Sequence, residues 1–519
     1  MRYDVREQAC IPVAGGGQGG TGAAQRDMLS VTEVFRRCED VTAVYGDTPG
    51  EGVALVEWLL GLVYAAGRYP RTEEEWGVWV QERRSLAGVA DWLEQHPGCW
   101  DLFDPVEPLG QNALLAPHLD AHGVGPAQLF IERAGDYSLH FDHHHLHHNV
   151  PVAADAAFRA MLTQHVYGLG GRAKIKAKDM GLPAAFTNNA VCRLGGRLRV
   201  LALGDSLGDT LRLNLVPWEG EAGSVNLTWT ARARRTFAAG GLAEARLPEG
   251  PADLHTVLGR SVIMRAVRLP GGALGVDRVL LGPGELLGAL PALYLQDALT
   301  GENATGATVL LKPSAVRDLW RSCPTLYAAI AAGGSGGLYG RLARLSQRRV
   351  DLWMVGIIAR QTKVTSWACD IFPYAAGRQE ELREAAERCE QICEHAAKAL
   401  YVAAATAREI AYPYTSPSPK PAQLARFNGE PQMWASAAPA VHAVLESVAE
   451  GRCASDVLAD FDREVRDLAF TALKARLGSL SVSGRALQAR ARCLARFRQL
   501  LDCPKAPDHL GEDACASCC

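Results

Sequence analysis

The sequence predicts an α+β protein: an irregular mixed N-terminal domain followed by a C-terminal antiparallel four-helix bundle. Short apolar runs, punctuated by Gly and Pro, alternate with helical patterns up to about residue 370. Beyond Pro373, apolar residues recur every three or four positions. The chain has 519 residues, of which 48% are hydrophobic and 21% charged, so it can bury a large core. We expect domains at 1–370 and 376–503 and a flexible tail at 504–519.

Strands and helices are mixed in the N-terminal domain. Apolar runs that end at Gly, Pro or charged residues predict strands at 197–203, 261–269 and 307–311. Three- and four-residue apolar spacing predicts helices at 53–66, 157–166 and 315–332. No period of 20–50 residues repeats along the chain, which argues against a solenoid or a propeller.

Four helical segments make up the predicted bundle. The first is a long amphipathic helix with apolar positions from Leu382 to Leu400, and the Pro-rich stretch 413–421 ends it because proline cannot continue a helix. The other three are expected at about 431–450, 455–477 and 483–502. Short connections between long helices favour antiparallel neighbours, which is why we predict a bundle.

Charge and cysteine usage limit the class of protein. The formal charge is -3, so the chain as a whole is not attracted to polyanions and any nucleic-acid surface must be local. The 14 cysteines are scattered without regular spacing, which indicates reduced thiols. The first residues carry charges and no apolar signal region, and the most apolar stretch, 53–66, is short and contains Glu57. We therefore expect a cytoplasmic protein, neither exported nor membrane-spanning.

Two motifs resemble those of enzymes. The glycines of Gly17-Gln-Gly-Gly-Thr-Gly22 match a dinucleotide-binding pattern, but Pro12 weakens the preceding strand, and a flexible hairpin tip is the favoured interpretation. Gly204-Asp-Ser-Leu207 matches the nucleophile motif of GDSL esterases, with Ser206 as the nucleophile. No Asp-x-x-His follows residue 206 to supply the general base, so we interpret Asp205 and Ser206 as a turn or helix cap.

Two clusters raise the question of a metal. Six histidines lie between His140 and His148, and His509 accompanies the cysteines at positions 515, 518 and 519. Imidazole and thiolate groups bind zinc, but a solvated loop and a frayed tail are the favoured interpretations of the two clusters. The sequence leaves both open, and we expect neither a metal nor another cofactor.

Two basic runs predict local contacts with phosphates. The glycine-rich segment Tyr167-Gly-Leu-Gly-Gly171 allows a backbone to approach a ligand closely, and four cations without an acid follow it: Arg172, Lys174, Lys176 and Lys178. The second run lies beside Trp229 and contains Arg232, Arg234 and Arg235. An aromatic ring next to cations is suited to stacking and phosphate contacts. A solvated charge run is the alternative; together the two runs favour nucleic-acid binding over catalysis.

Several segments in one order resemble the CasA family, the large subunit of the type I-E CRISPR surveillance complex Cascade. They are Ile11-Pro-Val with Met28-Leu-Ser-Val-Thr-Glu-Val, Gly135 to His143, Tyr167 to Gly171, Gly204 to Leu207, Leu211 to Trp218, Arg317 to Pro324 and Gly356 to Trp367. The resemblance spans most of the chain and includes the helical C-terminus. It implies a non-catalytic subunit that reads the protospacer-adjacent motif of target DNA, promotes duplex opening and R-loop formation, and recruits the helicase-nuclease. Guide RNA then supplies sequence specificity.

The resemblance also assigns roles to residues. The family's glycine loop, which lies against the minor groove, corresponds to Gly168, Leu169, Gly170 and Gly171. Its hairpin with a glutamine wedge corresponds to Arg360, Gln361 and Thr362, where the best-known pattern has Asn and Ala around the glutamine. A loop that meets guide RNA and neighbouring subunits corresponds to Tyr137, Phe141, Asp142 and His143. Arg265 and Arg268 are candidates for the groove-contacting cation.

The implied partners are the other Cascade subunits with CRISPR RNA, double-stranded target DNA and the helicase-nuclease. Two alternatives remain: an esterase that uses Ser206, and a ribonucleoprotein scaffold that never touches target DNA.

Overall fold

The computed structural model describes residues 1–15, 26–133, 150–173, 188–229, 245–302, 305–333, 337–346, 348–360, 363–414 and 420–503. Within them the chain forms two compact units. Unit 1 comprises residues 1–315, 334–341 and 350–371; unit 2 comprises residues 316–333, 342–349 and 372–519. In the described part of the chain, no helix combines the length and the apolar character that crossing a bilayer requires.

The strands are short and form small sheets. In chain order they are β1 Ile11–Gly15, β2 Arg26–Leu29, β3 Val41–Val44, β4 Val152–Ala153, β5 Gly171–Arg172, β6 Asn188–Asn189, β7 Arg199–Leu203, β8 Arg260–Arg268, β9 Leu274–Pro283, β10 Thr300–Glu302, β11 Thr308–Leu310, β12 Arg349–Arg360 and β13 Lys363–Ala375. The sheet orders are β2-β1-β3, β4-β9-β8, β13-β12-β7, β5-β6 and β10-β11. Every pairing with a described register is antiparallel.

The helices include the long ones of the C-terminal region. They are α1 Val31–Arg36, α2 Pro49–Ala65, α3 Glu73–Gln81, α4 Gly88–Gln95, α5 Leu119–His122, α6 Ala154–Tyr167, α7 Leu207–Asn214, α8 Pro251–His255, α9 Cys323–Ala331, α10 Gly337–Ala343, α11 Gln379–Ala411, α12 Lys420–Phe427, α13 Glu430–Ala449, α14 Ala454–Leu477 and α15 Gly484–Leu501. Short strands and helices together confirm the predicted α+β class.

Helix α2 is the centre of unit 1. Thr48 caps its start and Pro49 occupies the first turn, where a missing N–H costs nothing. The helix is apolar on all sides and buried along nearly its whole length, as expected for a core helix rather than a surface helix. It contacts α6 and α8, and Trp58 packs edge-on against Phe158 of α6 with ring centroids 5.3 Å apart.

The helices of unit 2 lie close to their predicted positions. Helix α11 ends shortly before Pro413, and α13, α14 and α15 agree with the three later predictions to within one residue at each end. Helix α11 contacts α13, α14 and α15. Its apolar face, described above for residues 382–400, is buried, as the three- and four-residue spacing predicted. The short helix α12, at the end of the Pro-rich stretch, was not predicted.

Unit 2 also contains chain that the sequence analysis assigned to the N-terminal domain. The predicted helix at 315–332 is shorter, α9 at Cys323–Ala331, because Pro324 in its first turn favours a start there. Helix α9 packs on α11, and beside it Trp320 lies 5.6 Å from Trp434, centroid to centroid. This apolar packing explains why residues 316–333 belong to the helical unit.

Candidate nucleic-acid interface

The glycine loop follows directly after a core helix. Helix α6 ends at Tyr167, and the Gly168 N–H donates to the carbonyl oxygen of Gln164 at 3.1 Å. A Cβ on Gly168 would lie 2.6 Å from both that carbonyl oxygen and the guanidinium carbon of Arg260. Only glycine fits at this point, because the chain passes directly over a buried arginine.

Arg260 holds the loop from below. Arg260 is buried, with 4% of its surface exposed. Its guanidinium donates hydrogen bonds to the carbonyl oxygens of Leu169 at 2.6 Å and Gly259 at 2.7 Å. Among the described residues, no carboxylate lies within 4 Å of this guanidinium, so its positive charge is balanced only by carbonyl dipoles. The loop backbone is therefore fixed over a cation.

A two-stranded ribbon continues from the loop. Gly171, with φ at 150°, pairs with Asn189, and the exposed Arg172 pairs with Asn188. Few residues other than glycine adopt this φ. Lys174, Lys176 and Lys178 belong to the chain that joins these two strands and lie outside the described residues. The ribbon thus brings both ends of the lysine-containing segment beside the glycine loop.

The predicted wedge region joins two long strands. Strands β12 and β13 are neighbours in one sheet and are separated only by Gln361 and Thr362, so they form a hairpin. The Thr365 hydroxyl donates to the carbonyl oxygen of Ile358 across it at 3.0 Å. Arg360, at the end of β12, is exposed. Gln361 and Thr362 themselves lie outside the described residues.

A ring contact joins strand β13 of this hairpin to the residue that precedes the glycine loop. Trp367 of β13 packs edge-on against Tyr167, with ring centroids 4.8 Å apart and planes at 86°. Its indole N–H donates to Glu132 at 2.7 Å. A Cβ on Gly50, at the start of α2, would lie 2.0 Å from the Trp367 ring, so that glycine makes room for it. Two segments about 200 residues apart in sequence therefore meet within unit 1.

A buried ion cluster lies at the centre of unit 1. Glu57 of α2, with no exposed surface, accepts hydrogen bonds from Arg193, from Arg199 Nε at 2.6 Å and from His255 Nδ1 at 2.7 Å. Both terminal N–H groups of Arg197 donate hydrogen bonds to the Asp297 carboxylate, with N···O distances of 2.8 and 3.2 Å. Burial alone would raise the pKa of Asp297, but the arginines outweigh burial and hold that pKa below its usual range.

His255 is neutral in this cluster. Burial, and then the charges of Arg193 and Arg199, lower its pKa well below the usual value. Three guanidinium groups, those of Arg193, Arg197 and Arg199, face only two carboxylates here, Glu57 and Asp297, so a protonated ring would add to an excess of positive charge. The ring therefore donates its Nδ1 proton to Glu57 as a neutral imidazole.

We expect this histidine to make folding sensitive to mild acid. Below about pH 6.5 the unfolded chain protonates His255 and the folded chain does not, so stability falls with pH by about 1.4 kcal/mol per unit until the folded pKa is reached. His255→Gln, which keeps a donor for Glu57, should remove this contribution. Urea unfolding of both proteins between pH 5 and 7.5 measures their free energies of unfolding. If these change with pH in the same way in the two proteins, the prediction is wrong.

Other predicted site residues lie outside the described part of the chain. They are Tyr137, Phe141, Asp142 and His143, the phosphate candidates Arg232, Arg234 and Arg235, the His140–His148 cluster, and His509 with the C-terminal cysteines. Among the described residues, no group of three or more His, Cys, Asp or Glu side chains is arranged to hold a metal.

The two groove-contact candidates differ in their surroundings. Arg265 forms ion pairs with Asp277 at 2.8 Å and Asp120 at 3.0 Å, so its charge is largely neutralised. Arg268, at the end of β8, is exposed and donates to the Gly272 carbonyl oxygen at 3.3 Å. Arg268 is therefore the better of the two candidates.

The two enzyme-like motifs have structural explanations. Ser206 caps α7: its hydroxyl accepts the Asp209 N–H at 3.1 Å and donates to Glu39 at 3.1 Å, which confirms the helix-cap interpretation. The Gly17–Gly22 run lies outside the described residues, but the strands on either side, β1 and β2, pair antiparallel. A dinucleotide site requires the glycine turn to lead from a strand into a helix.

Arg260 and the ion cluster were not predicted from sequence. A signal existed for the cluster, because Glu57 is a lone carboxylate in a strongly apolar stretch and a buried carboxylate needs a partner. Nothing local distinguishes Arg260 from other arginines of its strand.

Solved structures share this fold. A CasA structure from Thermus thermophilus matches with a TM-score of 0.73 at 20% identity, covering 96% of this chain and 99% of that one. Cse1 from Acidimicrobium ferrooxidans gives 0.71 and 20%, covering 96% and 98%. A chain of a "CRISPR RNA-guided surveillance complex" gives 0.67 and 18%, covering 96% and 99%. No curated protein sequence matches this chain.

The fold is thus that of the CasA and Cse1 proteins. The model of the family described as CRISPR-associated protein Cse1 matches residues 10–472. The chain belongs to the Cse1 family, which confirms the resemblance to the large subunit of type I-E Cascade that the sequence motifs indicated.

Proposed function

We propose that this chain reads the protospacer-adjacent motif of target DNA and helps to open the duplex, without catalysing a reaction. The observation that carries the proposal is the contact between Tyr167 and Trp367. The contact joins strand β13 to the residue that precedes the glycine loop. A duplex that met both the loop and the hairpin would need them close together. The loop would lie against the minor groove, and Gln361 would part the first base pair beyond the motif.

The charges around the loop suit this role. Arg260 lies directly beneath the loop backbone, and Arg172 is exposed on the adjoining ribbon. Positive charge close to a backbone without Cβ atoms favours approach of a DNA phosphate backbone. Lys174, Lys176 and Lys178, and the second run with Arg232, Arg234 and Arg235, would add further phosphate contacts that position the duplex without reading its sequence.

The partners follow from the family. We propose that the chain assembles with CRISPR RNA and the other Cascade subunits in the cytoplasm. A structurally similar chain belongs to a "CRISPR RNA-guided surveillance complex", which supports this proposal. The segment with Tyr137, Phe141, Asp142 and His143 would meet guide RNA and neighbouring subunits. The helices of unit 2, as a four-helix bundle, would recruit the helicase-nuclease. Base pairing with the guide would supply sequence specificity, while this chain reads only the short motif.

The test is motif discrimination. A complex reconstituted with this chain is offered duplexes that match the guide and carry randomised bases beside the matched segment. We expect a few motifs to be enriched among bound duplexes, and this enrichment to be lost when Gly168 is replaced by Val. Equal binding of all motifs would support the scaffold alternative, and ester hydrolysis lost in Ser206→Ala would support the esterase.

The lysine segment gives a prediction of its own. Replacing Lys174, Lys176 and Lys178 together with Ala should weaken duplex binding for all sequences and reduce the salt dependence of binding by about one to three charge equivalents. Binding constants at several salt concentrations measure the slope. The exposed lysines Lys398 and Lys420 of unit 2, replaced by Ala, are a control; an unchanged slope in the triple variant would contradict the prediction.

A further inference from the structure

A continuous segment of unit 2 contains cations and no acids. Between Asp467 and Asp502 the chain has no Asp or Glu. The same segment holds seven cationic residues: Lys474, Arg476, Arg485, Arg490, Arg492, Arg496 and Arg498. It comprises the end of α14, the connection and all of α15. In a chain of net charge -3, this concentration of positive charge is local.

Three of the arginines share one face of α15. At 100° per residue, Arg485, Arg492 and Arg496 fall within an arc of about 40°. The buried residues Ala486, Cys493 and Phe497 lie roughly 100° away from the centre of that arc. All three arginines are exposed, and the helical rise spaces them about 10 and 6 Å apart along the axis. They form a straight row on the outside of the helix.

The row is not neutralised by the rest of the described chain. In the described ranges, no carboxylate lies within 4 Å of Arg485, Arg492 or Arg496; Arg496 donates to the neutral Gln499 at 2.9 Å. Two further cations of the segment, Lys474 and Arg498, both lie against the Phe470 ring, 5.3 and 5.4 Å from its centroid. Like charges placed together repel, so an external polyanion would stabilise this surface.

We propose that this row, together with the cations around it, binds the phosphodiester backbone of nucleic acid without regard to sequence. Arginines contact phosphates through several donors at once. An acidic protein partner fits less well, because stable protein interfaces have an apolar centre and the exposed Leu487 lies about 160° from the row. The site is separate from motif reading, which we assign to unit 1.

The test uses the full-length chain and nucleic acids that lack a guide match: a duplex DNA, a single-stranded DNA and a single-stranded RNA of equal length. The variant replaces Arg485, Arg492 and Arg496 with Gln. A matched control replaces three exposed cations of unit 2 outside the segment, Lys398, Lys420 and Arg463, with Gln. Circular dichroism and thermal unfolding check that both variants fold.

We expect the salt slope of duplex binding to fall by about 2.7 in the arginine variant and that of single strands by about 2.1. Raising the salt from about 50 to about 200 mM weakens duplex binding by both proteins. We expect the factor by which it weakens binding to be about 40 times smaller for the arginine variant than for the unaltered chain. A probe whose slope changes by the full expected amount is one that the face binds, and a probe whose slope does not change is one that it does not bind. If the arginine variant matches the control with all three probes, the proposal is wrong.

Two other outcomes separate this site from its alternatives. Unchanged nucleic-acid binding combined with poorer assembly into the complex would overturn the proposal in favour of an acidic protein partner. A reduced slope in the arginine variant, together with an unchanged slope in Gln361→Ala, supports it even if motif reading by unit 1 fails.

Discussion

Replacing Glu57 with Ala is expected to destabilise unit 1 by about 3–5 kcal/mol, because it leaves the buried Arg193 guanidinium without its counter-ion and Arg199 with Asp297 alone. Arg193 and Arg199 both donate to this carboxylate, and neither is exposed enough for water to replace it. Arg199 also begins β7, which pairs with β12 of the wedge hairpin. The loss would therefore reach the proposed DNA-contacting hairpin as well as the core.

Tryptophan fluorescence in urea measures this effect, since nine of the 11 tryptophans belong to unit 1. The control is Glu94→Ala, which breaks the half-exposed pair with Arg36 and should cost less than about 1 kcal/mol. If Glu57→Ala and Glu94→Ala lower the urea midpoint by the same amount, the buried cluster has no special role in stability.

Replacing Gln361 with Ala is expected to slow R-loop formation on a fully paired target about 10- to 100-fold. Unstacking a base step costs a few kcal/mol, and an amide that fills the gap and hydrogen-bonds to the parted bases would recover part of that cost. Each 1.4 kcal/mol lost from the transition state slows opening tenfold. A target already mismatched beside the motif needs no wedge, so the variant should form R-loops on it almost normally.

Arg360→Ala is the matched comparison at the neighbouring, exposed position. If Arg360 contacts the duplex before it opens, its loss should weaken binding equally on paired and mismatched targets. Stopped-flow measurement of R-loop formation on both targets separates the two roles. Equal defects of Gln361→Ala on both targets would exclude a wedge at this position.

The helices of unit 2 were largely predictable because their signals are local. The spacing of apolar residues from Leu382 to Leu400 defines one face of α11. The exceptions were also local: a proline in the first turn shortened α9, and the Pro-rich stretch concealed α12.

The candidate site was predictable in part. The glycines from Gly168 to Gly171 were recognised from sequence, and the structure explains Gly168 through the arginine beneath it and Gly171 through its backbone angle. The roles of these glycines and of Gln361 in DNA reading remain predictions. The pairing of Gly171 and Arg172 with Asn189 and Asn188 could not be inferred, because side-chain charge alone does not specify which strands pair.

Sequence patterns were enough to infer the α+β class, the order of the long C-terminal helices and the family. The packing of Trp367 on Tyr167, the support of the glycine loop by Arg260 and the binding of two arginines and a histidine by Glu57 became known from the folded chain. The cause is distance along the sequence. Periodicity and capping act over a few residues, whereas these contacts join residues 90 to 200 positions apart and form only when the whole core closes around them.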